Sequence, residues 1–272
     1  MSAEFETLAT TGSSTPSVED ASRALRASWP ALDEQRLGGW ALGFSEGFTR
    51  RANSVWMLGE VGDVETAIGT VEEAYRVRGL PSRFLTTDSS DSDEVVALRA
   101  FGYVTSLSGG VLARALGPAD GPHQSLAGSH PSAVLSASTP QLPPDWLDAW
   151  LTWSGRRLPS DRRLAPRILR QGTPSFLSVS VDGSNVATAR LSVLDGIGVV
   201  DCLVTARASR GRGYARLLLE RAQHDAFALG ASSCLAMVVD GNDASLRLFD
   251  RLGYHRLGAF RYLEGPERTG CC

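Results

Sequence analysis

Two stretches of this 272-residue chain carry the same punctuation. Gly79 opens one and Gly230 opens the other, 151 residues later. The same offset relates Gly102 to Gly253, Tyr103 to Tyr254, Leu98 to Phe249 and Asp91 to Asn242. Each stretch reads as a helix end, a glycine, an apolar strand, a polar turn, a helix, Gly-Tyr and a further strand. Glycine after a periodic segment supplies the left-handed residue that closes a helix. A shared order of this length predicts a duplicated structural unit.

Residues 117–132 combine Gly, Pro, Ser and His without periodicity, which marks a linker. They divide the chain into a first unit, 21–116, and a second, 133–265. A length of 272 suits two such domains. Residues 1–20 and 266–272 are expected to be flexible tails. The second unit begins with a strand near 132–139 and a helix at 145–153. A short helix at 162–170 follows, weakened by Pro166. Two apolar runs joined by Asp182-Gly183-Ser184-Asn185 predict a hairpin, and Asp195-Gly196 turns it into a strand at 197–205. A helix then runs to about Leu229, with Leu218, Ala222, Ala226 and Leu229 on one apolar face. Strand 233–239, helix 242–252 and strand 255–263 complete the unit. Antiparallel strands followed by β-α-β-α-β predict a mixed α/β (α+β) sheet flanked by helices.

Composition narrows the function. A net charge of −3 gives no overall basic footprint, so nucleic acid is not expected as a partner. No apolar run reaches the ~18–20 residues needed to span a bilayer, and Met1 to Ser17 lacks a signal pattern. Cys202, Cys234, Cys271 and Cys272 show no metal-ligand spacing. The expectation is a cytoplasmic protein with no metal and no membrane partner. All 27 basic residues are arginine, so the chain has no lysine amine of its own to be acylated.

The sharpest chemical signal is Arg210-Gly211-Arg212-Gly213-Tyr214-Ala215, between an apolar strand and an amphipathic helix. A glycine-rich turn there aims unpaired backbone N–H groups outward, and the helix dipole adds partial positive charge. Such a turn suits phosphate, and two arginines add charge. It is neither a P-loop, lacking Gly-Lys-Ser/Thr, nor a dinucleotide fingerprint, lacking G-x-G-x-x-G. At the 151 offset, Gly59-Glu60-Val61-Gly62-Asp63-Val64 stands in the first unit. There the arginines are gone and two carboxylates would repel a diphosphate.

The order strand, R-x-x-G-x-A, helix, strand, then Asn242-x-x-Ser245-Leu246-x-x-Phe249-x-x-Leu252-Gly253-Tyr254 resembles the GNAT superfamily of acyl-CoA-dependent N-acyltransferases. The resemblance covers about 133–265. The whole chain is similar to tandem actinobacterial members with a degenerate first half. It implies acetyl-CoA or another acyl-CoA as co-substrate, lying between two splayed central strands, here 197–205 and 233–239. Cys202, Leu203, Val204 and Thr205 would line the pantetheine, and the Val204 N–H would polarise the thioester carbonyl. Residues Arg210 to Ala215 would hold the diphosphate. Asn242 and Ser245 would contact the pantetheine arm, and Phe249 would pack near the sulfur. Many members place a tyrosine acid where this chain has Phe249. Ser245, Tyr254 and Cys202 are the remaining proton donors in reach of the motif, with water as the other source. Asp201 is the preferred candidate base. The implied acceptor is a small-molecule amine, and the implied state a monomer or weak homodimer. Transfer of another acyl group, a protein amine as acceptor, or a non-catalytic CoA-binding regulatory module are the alternatives.

Other residues have two readings. Trp146, Trp150 and Trp153 at helical spacing suit core packing, or a substrate pocket. His224 and His255 read as surface residues. His123 and His130 fall in the linker. Arg50-Arg51 reads as a solvated or salt-bridged pair by default, and otherwise as a contact for an acidic substrate.

Overall fold

The computed structural model describes residues 15–87, 92–120 and 133–266. The linker histidines and Cys271 and Cys272 lie outside these residues. In the first unit the order is α1 (Val18–Ser28), β1 (Asp33–Leu37), β2 (Trp40–Phe44), β3 (Val55–Met57), α2 (Val64–Arg76), β4 (Arg83–Thr86), α3 (Asp93–Ala100) and β5 (Val104–Ala115). The second continues with β6 (Ala133–Leu135), α4 (Pro144–Trp153), α5 (Pro159–Leu169), β7 (Pro174–Val181), β8 (Ser184–Leu194) and β9 (Ile197–Thr205). It ends with α6 (Tyr214–Ala228), β10 (Ser233–Val239), α7 (Asp243–Arg251) and β11 (His255–Glu264).

The strands form the expected mixed sheet, but it is continuous across both units, in the order β1-β2-β3-β4-β11-β5-β10-β9-β8-β7-β6. The 151 offset makes β5 the counterpart of β11 and β4 that of β10. In the sheet these partners are exchanged. Strand β5 pairs antiparallel with β10, and β11 pairs antiparallel with β4. The two exchanged strands pair with each other along Val104 to Ala113. Gly109 sits at this crossing because nothing larger fits: a Cβ there would lie 2.2 Å from the Val238 carbonyl oxygen.

Two local differences from the sequence reading have simple causes. Helix α1 starts inside the stretch expected as a tail, because the Ser17 hydroxyl caps it by accepting from the Asp20 N–H. Leu229 is 61% exposed instead of lying on the apolar face of α6. It is the C-cap of that helix, so its side chain leaves the helical register, while Leu218, Ala222 and Ala226 are buried as expected.

An aromatic core ties the units together. Trp146 and Trp150 of α4 are buried and stacked at 6.2 Å, and they share a cluster with Trp29 and Phe48 of the first unit. The tryptophans thus act as packing, with Trp146 donating to the Leu177 carbonyl. The Arg190 side chain of β8 is fully buried beneath α1. Its guanidinium donates to the carbonyls of Ser28, Leu169 and Gln171 and to Asp201.

Candidate active site

Strands β9 and β10 run parallel and pair only at Ser233 with Ile197, Cys234 with Gly198 and Leu235 with Val199. Beyond Val199 the two diverge. The polar groups of β9 facing β10, and those of β10 facing β9, have no strand partner there. Three residues beyond the last of these pairs, β9 bulges. Thr188 of β8 pairs with Val204, but Arg190 pairs with Asp201, so Cys202 and Leu203 together oppose Ala189. Cys202 takes a left-handed φ of 53° to accommodate the extra residue. A bulge of this kind bends its strand and re-aims the neighbouring side chains. Leu203 packs toward the core under α6, whereas Cys202 and Val204 pack toward the aromatic core under α4 and α5.

Both helices that follow these strands begin at the open end of the cleft. Helix α6 starts after the Arg210 to Gly213 turn, and α7 starts after Asn242. In parallel α/β units the carboxyl ends of the strands form the natural binding crevice. At α6 the N-cap is Gly213, with φ 83° and no capping side chain, and Gly211 also has a left-handed φ of 77°. The first N–H groups of the helix have no partner within it. Arg210 and Arg212 are exposed, and Arg210 Nε donates to the Thr205 carbonyl at 3.3 Å. Tyr214 is buried beneath the turn and Ala215 half-buried. At α7, Asn242 caps the helix by accepting from the Ser245 N–H at 3.3 Å.

The corresponding turn of the first unit is built otherwise. Asp63 caps α2 by accepting from the Thr66 N–H at 2.8 Å, and these Thr66 hydrogen bonds hold its carboxyl below the usual range. The turn also closes on the β1–β2 turn: a Cβ on Gly39 would lie 2.3 Å from the Gly59 carbonyl carbon. A carboxylate and the chain's own backbone occupy the place that α6 leaves open.

Asp201, Cys202, Leu203, Val204 and Thr205 lie on the splayed part of β9, and the 210–215 turn, Asn242 and Ser245 lie at the starts of the helices that follow the parallel pair. Tyr254 is elsewhere. It is buried against Phe249, ring to ring at 4.8 Å, and beside Cys234, which pairs at the closed end of the two strands. Burial, with Cys234 alongside, pushes its hydroxyl well above the normal tyrosine range. Cys234 is likewise pushed up to about 12 by burial. Asp201 lies in the cleft, but its Oδ2 accepts from Arg190 at 3.0 Å and from Arg51 at 3.4 Å. Burial and the adjacent Asp201 raise the Cys202 thiol, so it stays protonated at neutral pH. His255 is exposed as expected, whereas His224 is half-buried with its Nδ1 3.2 Å from the Asp120 carbonyl. Among the described residues no group of His, Cys, Asp and Glu is placed to hold a metal ion. No helix among them is long and apolar enough to cross a membrane.

Sequence reasoning missed Arg190, which looks like any residue of an apolar strand but holds Asp201. The Arg50-Arg51 pair was the signal in the sequence for the Arg51 contact with Asp201.

A bulged strand splayed from a parallel neighbour, with a glycine-rich helix start at the mouth, is the arrangement that the resemblance to acyl-CoA-dependent acyltransferases implies. The sequence model of the acetyltransferase (GNAT) family matches residues 141–254, and this part of the chain belongs to that family. The full chain is 25% identical over 255 residues to an uncharacterized N-acetyltransferase, YobR, of Bacillus subtilis, covering 88% of this chain and 95% of that one. In fold it is similar to a GCN5-related N-acetyltransferase from Kribbella flavida, at 18% identity and a TM-score of 0.68, over 92% of this chain and 95% of that one. It is also similar to a tandem GNAT protein from the clavulanic acid biosynthesis pathway, at 14% identity and a TM-score of 0.58, over 75% and 70% of the two chains.

Proposed function

We propose that this protein transfers an acetyl group from acetyl-CoA to the primary amine of a small molecule by direct attack. The observation that carries this reading is the cleft between β9 and β10, with the uncapped start of α6 at its mouth. The residues present suit the donor. Backbone N–H groups of the 210–215 turn, with Arg210 and Arg212, hold the diphosphate. The free edge of β9 along residues 202–205 pairs with the pantetheine amides, and Asn242 and Ser245 border the arm from α7. The donor for the developing oxyanion is a backbone N–H on the free edge of β9 beside the bulge; the Val204 N–H expected for this role lies on the opposite edge, where Val204 pairs with Thr188 in the register that has the Ala206 N–H donating to Val186.

In the reaction the amine nitrogen loses a proton and attacks the thioester carbon. A C–N bond forms, the C–S bond breaks, and the thiolate takes up a proton. Phe249 has no proton to give, and Tyr254 is sealed at the closed end of the strands. The proton comes from Cys202, Ser245 or solvent at the open mouth. Holding both reactants in the cleft provides the larger part of the rate enhancement. The first unit, with Asp63 at the equivalent turn, binds no second coenzyme.

Phe249 favours one other reading, a non-catalytic CoA-binding regulatory module. Thiol release from acetyl-CoA in the presence of a panel of primary amines decides between them. Amine-dependent release is expected. Tight CoA binding with no release for any amine points to the regulatory module instead.

A further inference from the structure

We infer that the first unit supplies a carboxylate-binding site for the acceptor, built on Arg51, so that the acceptor is an amine carrying a carboxylate, of the amino-acid or short-peptide class. The inference rests on the transferase reading above and adds the acceptor's chemistry to it. Arg51 lies in the connection between β2 and β3, yet its guanidinium reaches β9 and β10 of the other unit. Its Nη2 is 3.4 Å from Asp201 Oδ2, and its Nη1 is 4.0 Å from Met237 Sδ. These contacts set it in the cleft, on the side of the aromatic core. It is half-buried, with its side chain 15% exposed and stacked 4.8 Å over Trp29. A guanidinium has five N–H donors, and among the described residues Arg51 commits only two of them, both at long range. Asp201 does not neutralise it, because the same oxygen is held more closely by the buried Arg190 at 3.0 Å.

A second arginine stands in the same cluster. Arg156 lies over Phe48 at 4.5 Å and over Trp150 at 5.4 Å, with its one anionic neighbour, Asp161, 4.0 Å away. Burial lowers its pKa, with Asp161 and Cys202 pulling the other way. The cleft wall beside Cys202 thus holds two incompletely compensated cations on aromatic faces. Half-buried cations with spare donors are costly unless an anion meets them, and a planar guanidinium suits a carboxylate.

The loop that presents Arg51 is held rigidly. Asn53, itself buried, accepts from the N–H groups of Ser45 and Gly47 and donates to the carbonyls of Phe48 and Thr49. These bonds keep Glu46 and Thr49 at left-handed φ values of 51° and 63°. Strain so held marks a segment whose position matters. A carboxylate on Arg51 would leave its attached amine in the open part of the cleft, near Val204.

The test pairs amino acids and dipeptides with their decarboxylated amines. Binding is measured by calorimetry in the presence of CoA, and turnover by thiol release. The wild-type protein should bind and use the carboxylate-bearing members in preference. Arg51→Met should weaken their binding and raise their KM by about tenfold or more, the loss of one charge-assisted pair. The KM for acetyl-CoA should stay unchanged, and Arg51→Lys should recover part of the loss. Equal binding of decarboxylated amines, no binding of any carboxylate-bearing amine, or unaltered discrimination in Arg51→Met would each overturn the inference. Failure of acetyl-CoA itself to bind would instead overturn the transferase reading, so the two failures are distinguishable.

Discussion

Arg190 shows how much of this molecule rests on single side chains. Its guanidinium is fully buried and joins the end of α1, the end of α5 and β9 through three backbone carbonyls and Asp201. Removing one partner of a buried, hydrogen-bonded ion pair strands the other, at a cost of about 3–5 kcal/mol. Arg190→Met should lose stability on that scale in urea unfolding; a loss under about 1 kcal/mol would show that the carbonyls and Asp201 find other partners. None of this was legible in the sequence. Strand periodicity placed Arg190 in an apolar run, but its partners come from positions 28, 169, 171 and 201, which no local pattern connects. Asp201, the preferred candidate base, accepts from both Arg190 and Arg51, partners that its own strand pattern does not reveal. The glycines of the 210–215 turn were legible, because positive φ at a strand-to-helix turn is a local demand that few residues other than glycine meet easily.

At the scale of elements, α2 and α6 hold equivalent places and differ at one end. Asp63 caps α2, whereas Gly213 leaves α6 uncapped. The sequence displayed this contrast directly, since both turns are short and their chemistry is local. The partners of β5 and β11 were not legible. Periodicity says that each is a strand but not which neighbour it takes, and both candidate neighbours offer apolar edges. The exchange is fastened at its outer end by an ion pair between Arg83 of β4 and Glu264 of β11. Burial raises the Glu264 carboxyl, but the hydrogen bond and charge of Arg83 outweigh it and hold the group below its usual range. A carboxyl depressed in the folded state stabilises the fold above its unfolded pKa of ~4.3. That stability is lost as pH falls through the lower folded value. Protection of the amides of residues 261–264 against hydrogen exchange, taken relative to their intrinsic rates at each pH, should therefore fall below about pH 4 in the wild type. In Glu264→Gln this acid step should vanish; its persistence would assign the acid sensitivity to other carboxylates.

Across the whole molecule, the exchanged strands make each unit depend on the other. A chain cut within residues 121–132 still has every strand, but either half alone lacks the one that stands beside its parallel pair. The halves produced separately should be unfolded or aggregated by circular dichroism and size exclusion. Produced together they should assemble with native stability, and a half that folds by itself would contradict the interdependence. The 151-residue offset was readable in the sequence, whereas the shared sheet was not, because only long-range pairing decides it. The same intimacy lets the first unit, with no phosphate turn of its own, reach into the cleft of the second. The proposed seat of the coenzyme's diphosphate is the cleft mouth, and calorimetry with acetyl-CoA tests it most directly. The wild type should bind one equivalent, and replacing both Arg210 and Arg212 with Glu should abolish binding without changing the thermal melt. Undiminished binding by that double variant, or a second equivalent bound by the wild type, would contradict it.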